Sequence, residues 1–276
     1  MKKIIIPVDF SQHSEYALET AAELAKQYNS ELIVMHMLEL SESIFSSSSS
    51  DKNEETAFML MVANKQFENF LNKPYLEGLN VTPMIKHHKV LKEVAEVASG
   101  IKADLIVIGS RGHSEHDGVF TGSNTEKVVR YSNTPVLVVK SKPQSVSFDS
   151  IVLATDFSEE SVFAVKNAVE TLSGLSKKVT LLHINVPNLN FLSTDELEDK
   201  VASFIKLAKI DENSCDIADI SDHNVEDGVL NYARRTNADA IAMITHGRKG
   251  LSHLFGGSIS EDLVNHAKLP VITFKL

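Results

Sequence analysis

The chain has 276 residues, 43% of them hydrophobic and 23% charged, which predicts a globular protein with room for two domains and excludes a disordered chain. A net charge of −10 argues against general binding to nucleic acid or anionic membranes, and no apolar run approaches the ~20 residues of a membrane-spanning helix. The single cysteine, Cys215, allows no internal disulfide, so we expect a soluble protein of the cytoplasm.

Apolar runs and helix-like segments alternate along the first half of the chain. The run KIIIPV is short and rich in β-branched residues, which predicts a buried parallel strand. A helix is predicted next, because apolar residues recur at helical spacing from Ala17 and Ser11 is placed to cap its start. The following segments are, in order, the strand ELIVMHM, the helix FMLMVANKQFENFLNK, the strand VTPMIKHH, the helix KVLKEVAEVA, the strand DLIVIG, a glycine segment with its helix, and the strand PVLVVK.

The second half of the chain repeats this pattern. The sequence DFS at Asp9 returns 147 positions later at Asp156, and NTPVLVVK returns as KLPVITFK with Pro135 and Pro270 offset by 135. The two offsets differ by 12 residues, and the polar run SSSSS at 46–50 marks where the first half carries the extra length. The chain is therefore predicted to be a tandem duplication.

Strands that alternate with helices predict a mostly parallel sheet with helices on both faces. The predicted fold class is α/β, with two tandem doubly wound, Rossmann-like domains of five strands each. We place the domains at residues 1–142 and 148–276, on either side of the polar connector SKPQSVSFD.

The glycine segment of the first half has a specific spacing. Gly109, Gly112, Gly122 and Ser123 spell G-x-x-G, nine further residues, and then G-S. This pattern resembles the ATP-binding signature of the universal stress protein family. The openings PVDFS and ATDFS and the closing strands of both halves are similar to the first and last strands of that family. The resemblance covers the whole chain, once per half, and indicates a tandem universal stress protein.

The resemblance implies a set of ligand contacts in the first half. Asp9 would lie against the ribose and adenine, and the backbone of Met37 would bind the adenine edge. Gly109 and Gly112 would line the ribose and the phosphates, and the phosphate tail would be held by Gly122, Ser123, Asn124 and Thr125. Physical chemistry agrees with these roles, because open α/β sheets bind ligands at the carboxyl ends of their strands and helix N-termini attract anions. Glycines also let the backbone approach a ligand closely.

The second half departs from the pattern most clearly where Ile244 replaces Gly109, and Ile259 and Ser260 also replace Asn124 and Thr125. A β-branched residue does not readily adopt a positive φ and adds bulk where the ribose would pass, so we expect weaker or absent nucleotide binding there. Two equal sites stay open as an alternative, because the aspartate and the phosphate loop persist. This weaker site would consist of Asp156, Ile184, Gly247, Gly257 and Ser258.

Histidines precede the third helix of each half, where many family members carry a glycine. His88 and His223 occupy matching positions there, and their side chains could contact phosphate or crowd it. The sequence GHSEH, with His113, Glu115 and His116, has spacing suited to zinc, but it lacks a third ligand within reach, so we predict no metal site.

Templates for catalysis are missing from the sequence. It contains no P-loop, no dinucleotide-binding G-x-G-x-x-G after the first strand and no G-x-S-x-G, so no catalytic residue is predicted. His36, inside an apolar strand, is predicted to be a hydrogen-bonded core residue, and Cys215 a buried packing residue.

Together these features predict an adenine-nucleotide-binding protein of the stress response, which senses or signals rather than metabolises. It would bind ATP, with or without Mg²⁺, mainly in the first half. The resemblance also implies that the two halves pack through their last strands and that two chains could form a homodimer. Two other functions stay open: an interaction or dimerisation module whose phosphate loops are only turns, and a slow ATP hydrolase.

Overall fold

The repeated order of strands and helices is present in the computed structural model, which describes residues 1–38, 49–87, 92–110, 123–142, 148–211, 213–245, 263–264 and 266–276. The elements of the first half are β1 (Lys3–Val8), α1 (Gln12–Tyr28), β2 (Glu31–Leu38), α2 (Ser49–Leu71), a 3-10 turn (Pro74–Leu76), β3 (Val81–His87), α3 (Lys92–Gly100), β4 (Leu105–Gly109), α4 (Ser123–Tyr131) and β5 (Val136–Val139). Those of the second half are β6 (Phe148–Ala154), a 3-10 turn (Glu159–Ser161), α5 (Val162–Ser173), β7 (Ser176–Asn185), α6 (Thr194–Ala208), β8 (Asp216–Ser221), α7 (Val225–Thr236), β9 (Ala240–Thr245) and β10 (Val271–Lys275).

The strands form one sheet in the order β3-β2-β1-β4-β5-β10-β9-β6-β7-β8. Within each half the neighbouring strands run parallel, as in the pairings of β1 with β2 and of β1 with β4. The predicted α/β class, with a mostly parallel sheet in each of two Rossmann-like halves, is confirmed. In each half the chain reverses its direction of winding beside its first strand, and ligands of open α/β sheets bind at such a point.

The strands are apolar because helices cover both faces of the sheet. Ile4 and Ile6 of β1 belong to one buried cluster, together with residues of α1, whereas Ile5 belongs to the cluster on the opposite face. All three side chains are fully buried. Successive residues of a strand point to opposite faces, so a strand covered on both sides needs a continuous apolar run such as KIIIPV.

The two halves meet where β5 pairs with β10, and this is the antiparallel pairing of the sheet. Val138 lies opposite Val271, and the ammonium group of Lys140 donates a hydrogen bond to the Ala267 carbonyl at 2.6 Å. Burial lowers the pKa of Lys140 to about 8. Among the helices of the described segments, none combines the length and the apolar character needed to cross a membrane.

Candidate functional site

The carboxyl ends of β1, β2 and β4 bring three of the predicted site residues to one edge of the sheet. Asp9 directly follows β1, and Gly109 is the last residue of β4. The register pairs Val8 with His36, so Met37 lies one residue beyond the end of β1, beside Asp9. The structure therefore places Asp9, Met37 and Gly109 together at the point where the winding reverses.

A left-handed phenylalanine turns the chain out of β1 and exposes Asp9. Phe10 has a φ of 63°, a conformation that costs a non-glycine residue about 1–2 kcal/mol. Its ring lies 4.4 Å from the ring of His36 and 5.1 Å from that of Phe67, measured between centroids, and these aromatic contacts offset the cost. The equivalent Phe157 has a φ of 51°, so both halves build the same turn. The DF pair thus directs an aromatic ring inward and a carboxylate outward.

The carboxylate of Asp9 is fixed by the start of α1. The Ser14 hydroxyl donates to Oδ1 of Asp9 at 2.5 Å, and the Ser11 backbone N–H donates to the same oxygen at 3.0 Å. Burial raises the pKa of Asp9, but the hydrogen bonds from Ser11 and Ser14 lower it by more, so its pKa lies below the ordinary value. Asp9 is therefore an ionised, oriented hydrogen-bond acceptor at neutral pH.

Gly109 is needed for a reason other than the predicted one. Among the described glycines only Gly78 has a φ in the left-handed region, so the expectation of a positive φ at Gly109 is wrong. A Cβ on Gly109 would instead lie 2.2 Å from the His13 carbonyl oxygen and 2.9 Å from the Ser14 backbone nitrogen. The close approach is thus to the first turn of α1, and the glycine allows that helix to rest on the end of β4.

Thr125, which is a predicted phosphate contact, has a hydrogen-bond partner within the protein. Its side chain is buried, and its hydroxyl donates to the Gly109 carbonyl at 3.3 Å. This bond ties the first turn of α4 to the end of β4, so the threonine positions the helix. Ser123 and Asn124 are the first two residues of α4. Gly112 and Gly122 lie outside the described residues.

The second half starts its first helix differently. Asp156 accepts a hydrogen bond from the Ser158 backbone N–H at 3.0 Å, but the Ser161 hydroxyl donates to the Ser158 carbonyl instead of the carboxylate. A 3-10 turn precedes α5, which begins at Val162, three positions later in the repeat than α1. Ile244 stands at the position of Gly109 and is buried in the cluster on the α5 face, where the first turn of α1 lies in the other half.

A cavity of about 640 Å³ opens at the carboxyl ends of β6 and β7. Asp156 and Ile184, two residues of the predicted weaker site, line it, and the loop 186–192 closes one side. The buried Asn185 holds that loop, because its amide donates to the Leu192 carbonyl at 2.8 Å and accepts from the Leu192 N–H at 3.2 Å. Gly247, Gly257 and Ser258 lie outside the described residues. We call this space the strand-end cavity.

Sequence reasoning did not identify Asn185. The available signal was a polar residue at the end of a buried strand, followed by the turn-forming residues PNLN. A buried amide whose donor and acceptor are both satisfied by one loop residue indicates an ordered loop rather than a passive connection.

The histidines and the cysteine have structural partners. Nδ1 of His36 lies 2.8 Å from the Val8 carbonyl oxygen, as expected for a hydrogen-bonded core residue, and Nδ1 of His183 lies 2.7 Å from the Asp219 carboxylate. Cys215 is buried, and burial raises the pKa of its thiol, which suits a packing residue. Among the described residues no group of three histidine, cysteine or carboxylate side chains could hold a metal ion, and the sequence GHSEH lies outside them.

Comparisons with known proteins agree with the repeat. The model of the universal stress protein family matches residues 1–140 and again residues 147–275. A universal stress protein of Methanocaldococcus jannaschii is 32% identical over 150 residues, which cover 52% of this chain and 84% of that protein. A universal stress protein of Mycolicibacterium smegmatis is 23% identical over 290 residues, which cover 99% of this chain and 96% of that protein.

The fold comparison extends over both halves. The crystal structure of a universal stress protein from Archaeoglobus fulgidus superposes with a TM-score of 0.66 at 19% identity, covering 99% of this chain and 98% of that one. The chain therefore belongs to the universal stress protein family, with one match to the family in each half.

Proposed function

We propose that this protein binds an adenine nucleotide, ATP, at the carboxyl edge of β1, β2 and β4, and that it acts in the cytoplasm as a sensor or signalling component of a stress response. The observation that carries the proposal is the ionised Asp9, fixed by Ser11 and Ser14 beside Met37 and the glycine-closed end of β4. Family membership supports the same assignment.

The ligand would lie across the end of the sheet. The Asp9 carboxylate suits the ribose hydroxyls, because a carboxylate at this place in a Rossmann-like fold accepts their hydrogen bonds. The backbone of Met37 would bind the adenine edge. The phosphates, with or without Mg²⁺, would face the N-terminal end of α4, where backbone N–H groups and the helix dipole favour an anion. Gly112, Gly122 and Ser123 would complete the phosphate loop.

The ionised state of Asp9 supports a role in binding rather than turnover. A carboxylate whose pKa is lowered is a weak base, so Asp9 is suited to holding hydroxyl groups and not to abstracting a proton from water.

The strand-end cavity of the second half supports a second, weaker site for the same class of ligand. Asp156 and Ile184 line a space large enough for a small molecule, although Asp156 lacks the serine hydroxyl that orients Asp9. We also propose, from the family resemblance alone, that two chains can pair as a homodimer, which sedimentation would test.

The matched variants Asp9→Asn and Asp156→Asn test the assignment. Isothermal titration of the full chain with ATP and Mg²⁺ should give about one strong site per chain, and Asp9→Asn should weaken it about tenfold, since a hydrogen bond to a charged group is lost. Asp156→Asn should leave that site unchanged.

The outcomes separate the three functions. Absence of ATP binding, and of any thermal shift by ATP with Mg²⁺, would favour the interaction module. Equal losses in the two variants would contradict the unequal sites. Release of ADP in proportion to protein concentration, abolished in Asp9→Asn, would favour the hydrolase.

A further inference from the structure

A second cavity, of about 540 Å³, lies beside α7 in the second half. Its walls come from the end of β8, from the side of α7 between Asn231 and Arg235, and from the loop after β7. We call it the α7 cavity. It shares Asn185 and Phe191 with the strand-end cavity, so the loop 186–192, which the Asn185 amide holds, borders both spaces. Its volume lies within the range of small-molecule sites.

Two arginine side chains line this cavity, although the chain as a whole carries a net charge of −10. They are Arg234 and Arg235, and His223 lines the cavity as well. Neither arginine side chain forms an ion pair or hydrogen bond with any residue of the described segments. His223, whose side chain could contact or crowd a phosphate according to the sequence, lines the α7 cavity and is not among the residues that line the strand-end cavity.

The stabilisation of a helix C-terminus does not account for these arginines. Basic residues in a last turn interact favourably with the helix dipole, and Arg234 and Arg235 are in the last turn of α7. However, the equivalent helix α3 ends with Ser99 and Gly100 and has no basic residue in its last turn. The equivalent helix of the first half therefore forms without two arginines in its last turn.

The cavity also contains one oriented acceptor. The Asn231 amide donates to the Asp222 carboxylate at 3.0 Å, and the His223 backbone N–H donates to it at 2.7 Å. These two bonds hold the pKa of Asp222 below its ordinary value. An ionised carboxylate suits hydroxyl groups of a ligand, whereas the guanidinium groups suit a phosphate, which they can bind through paired N–H donors.

We propose that the α7 cavity binds a small phosphorylated sugar or a nucleoside monophosphate, with its phosphate on Arg234 and Arg235 and its hydroxyl groups on Asp222. Phe191, which is half-exposed at the rim, offers an apolar face to the rest of the ligand. This site is separate from the proposed ATP site of the first half and does not depend on it. The first half cannot form it, because Glu96, Ser99 and Gly100 stand where the second half has Asn231 and the two arginines.

Isothermal titration of the full chain with ribose 5-phosphate, which lacks adenine, tests the proposal. We expect saturable binding of ribose 5-phosphate and none of ribose. The double variant Arg234→Gln/Arg235→Gln should weaken binding at least about tenfold, because charge-assisted hydrogen bonds to the phosphate are lost. Adenosine monophosphate in the same titration distinguishes the two ligand sources, since binding tighter than that of ribose 5-phosphate that falls in Arg234→Gln/Arg235→Gln identifies the nucleotide, because the two arginines line the α7 cavity and not the strand-end cavity.

The control removes the same charge elsewhere. Lys206→Gln/Lys268→Gln takes two exposed cations from the second half, neither of which lines the α7 cavity, and should leave the affinity for ribose 5-phosphate unchanged. No heat with ribose 5-phosphate, an unchanged affinity in the arginine variant, or an equal loss in the lysine control would each overturn the proposal. The ATP site is read separately, by titration of Asp9→Asn with ATP.

Discussion

The two halves share one topology but begin their first helix in different ways. In the first half Gly109 leaves room for the opening turn of α1, which begins at Gln12 with a cap from Ser11. In the second half Ile244 fills that room, and a 3-10 turn comes before α5. The residue at the end of the fourth strand and the start of the first helix therefore differ together between the halves, and we expect Gly109 to allow the earlier start of α1.

The position of the helix start determines how the site aspartate is held. In the first half the Ser14 hydroxyl reaches the Asp9 carboxylate, and in the second half the equivalent Ser161 hydroxyl turns to the Ser158 carbonyl. The same three-letter motif, DFS, thus gives two carboxylates that are held in different ways. The comparison shows that the same aspartate at the same position of the repeat does not by itself have the same hydrogen-bond partners.

The largest expected effect comes from giving the first half the bulk of the second. Gly109→Ala places a Cβ 2.2 Å from the His13 carbonyl oxygen, so α1 must shift, and we expect a loss of about 3 kcal/mol in the free energy of unfolding. Gly100→Ala is the matched control, because a Cβ there meets nothing within 4 Å. Urea denaturation measures both, and equal midpoints would break the proposed link between Gly109 and the helix start.

A smaller effect on stability is expected from removing the side chain that holds the loop 186–192 of the second half. Asn185→Ala leaves the Leu192 N–H and carbonyl without their partner, which should cost about 2 kcal/mol of unfolding free energy and speed proteolysis within residues 186–192. Asn190→Ala, in the same loop, is the control. If limited proteolysis cut both variants at the rate of the parent protein, the Asn185–Leu192 hydrogen bonds would not be what orders the loop.

The smallest effect concerns the two serines. Ser14→Ala should raise the pKa of Asp9, because burial then acts against fewer hydrogen bonds, and an NMR titration of the carboxyl carbon would follow it. Ser161→Ala is the matched serine variant of the second half, where the hydroxyl bonds to the Ser158 carbonyl and not to Asp156.

The effect of Ser14→Ala on the free energy of unfolding should depend on pH in a defined direction. A lowered pKa in the folded state contributes stability above the ordinary carboxylate pKa, and this contribution is lost as the pH falls through the lowered value. Ser14→Ala should therefore cost less than about 1 kcal/mol near neutral pH, given the exposure of Asp9, and the cost should shrink in acid. A cost that grows below pH ~4 would contradict the assigned direction.

Much of the fold is accessible from the sequence because it depends on local patterns. The run KIIIPV and its repeat indicate strands covered on both faces, and the two offsets indicate a duplication. The edge position of Asp9, Met37 and Gly109 follows from the same pattern, since each lies at a predicted strand end. Parallel strands bring such ends together whatever the side chains are.

The contacts that were not predicted join residues far apart in the chain. The approach of His13 to Gly109 and the partner of Thr125 depend on how α1 and α4 pack on β4, and no local pattern encodes that. The hydrogen bonds between Asn185 and Leu192, and the presence of Arg234 and Asp222 in one cavity, are likewise tertiary contacts. Sequence spacing indicates which residues share a strand or helix, whereas these contacts require the distances between elements.

The pairing of β5 with β10 has a consequence for how the halves can differ. In a dimer of identical chains every substitution occurs twice, once on each side of the symmetry axis. Here β5 and β10 belong to different halves of one polypeptide. Their pairing is intramolecular, so it does not depend on protein concentration. Covalent duplication therefore allows Arg234 and Arg235 in one half where the other half has Ser99 and Gly100. If both proposed sites bind their ligands, one molecule carries them at a constant one-to-one ratio.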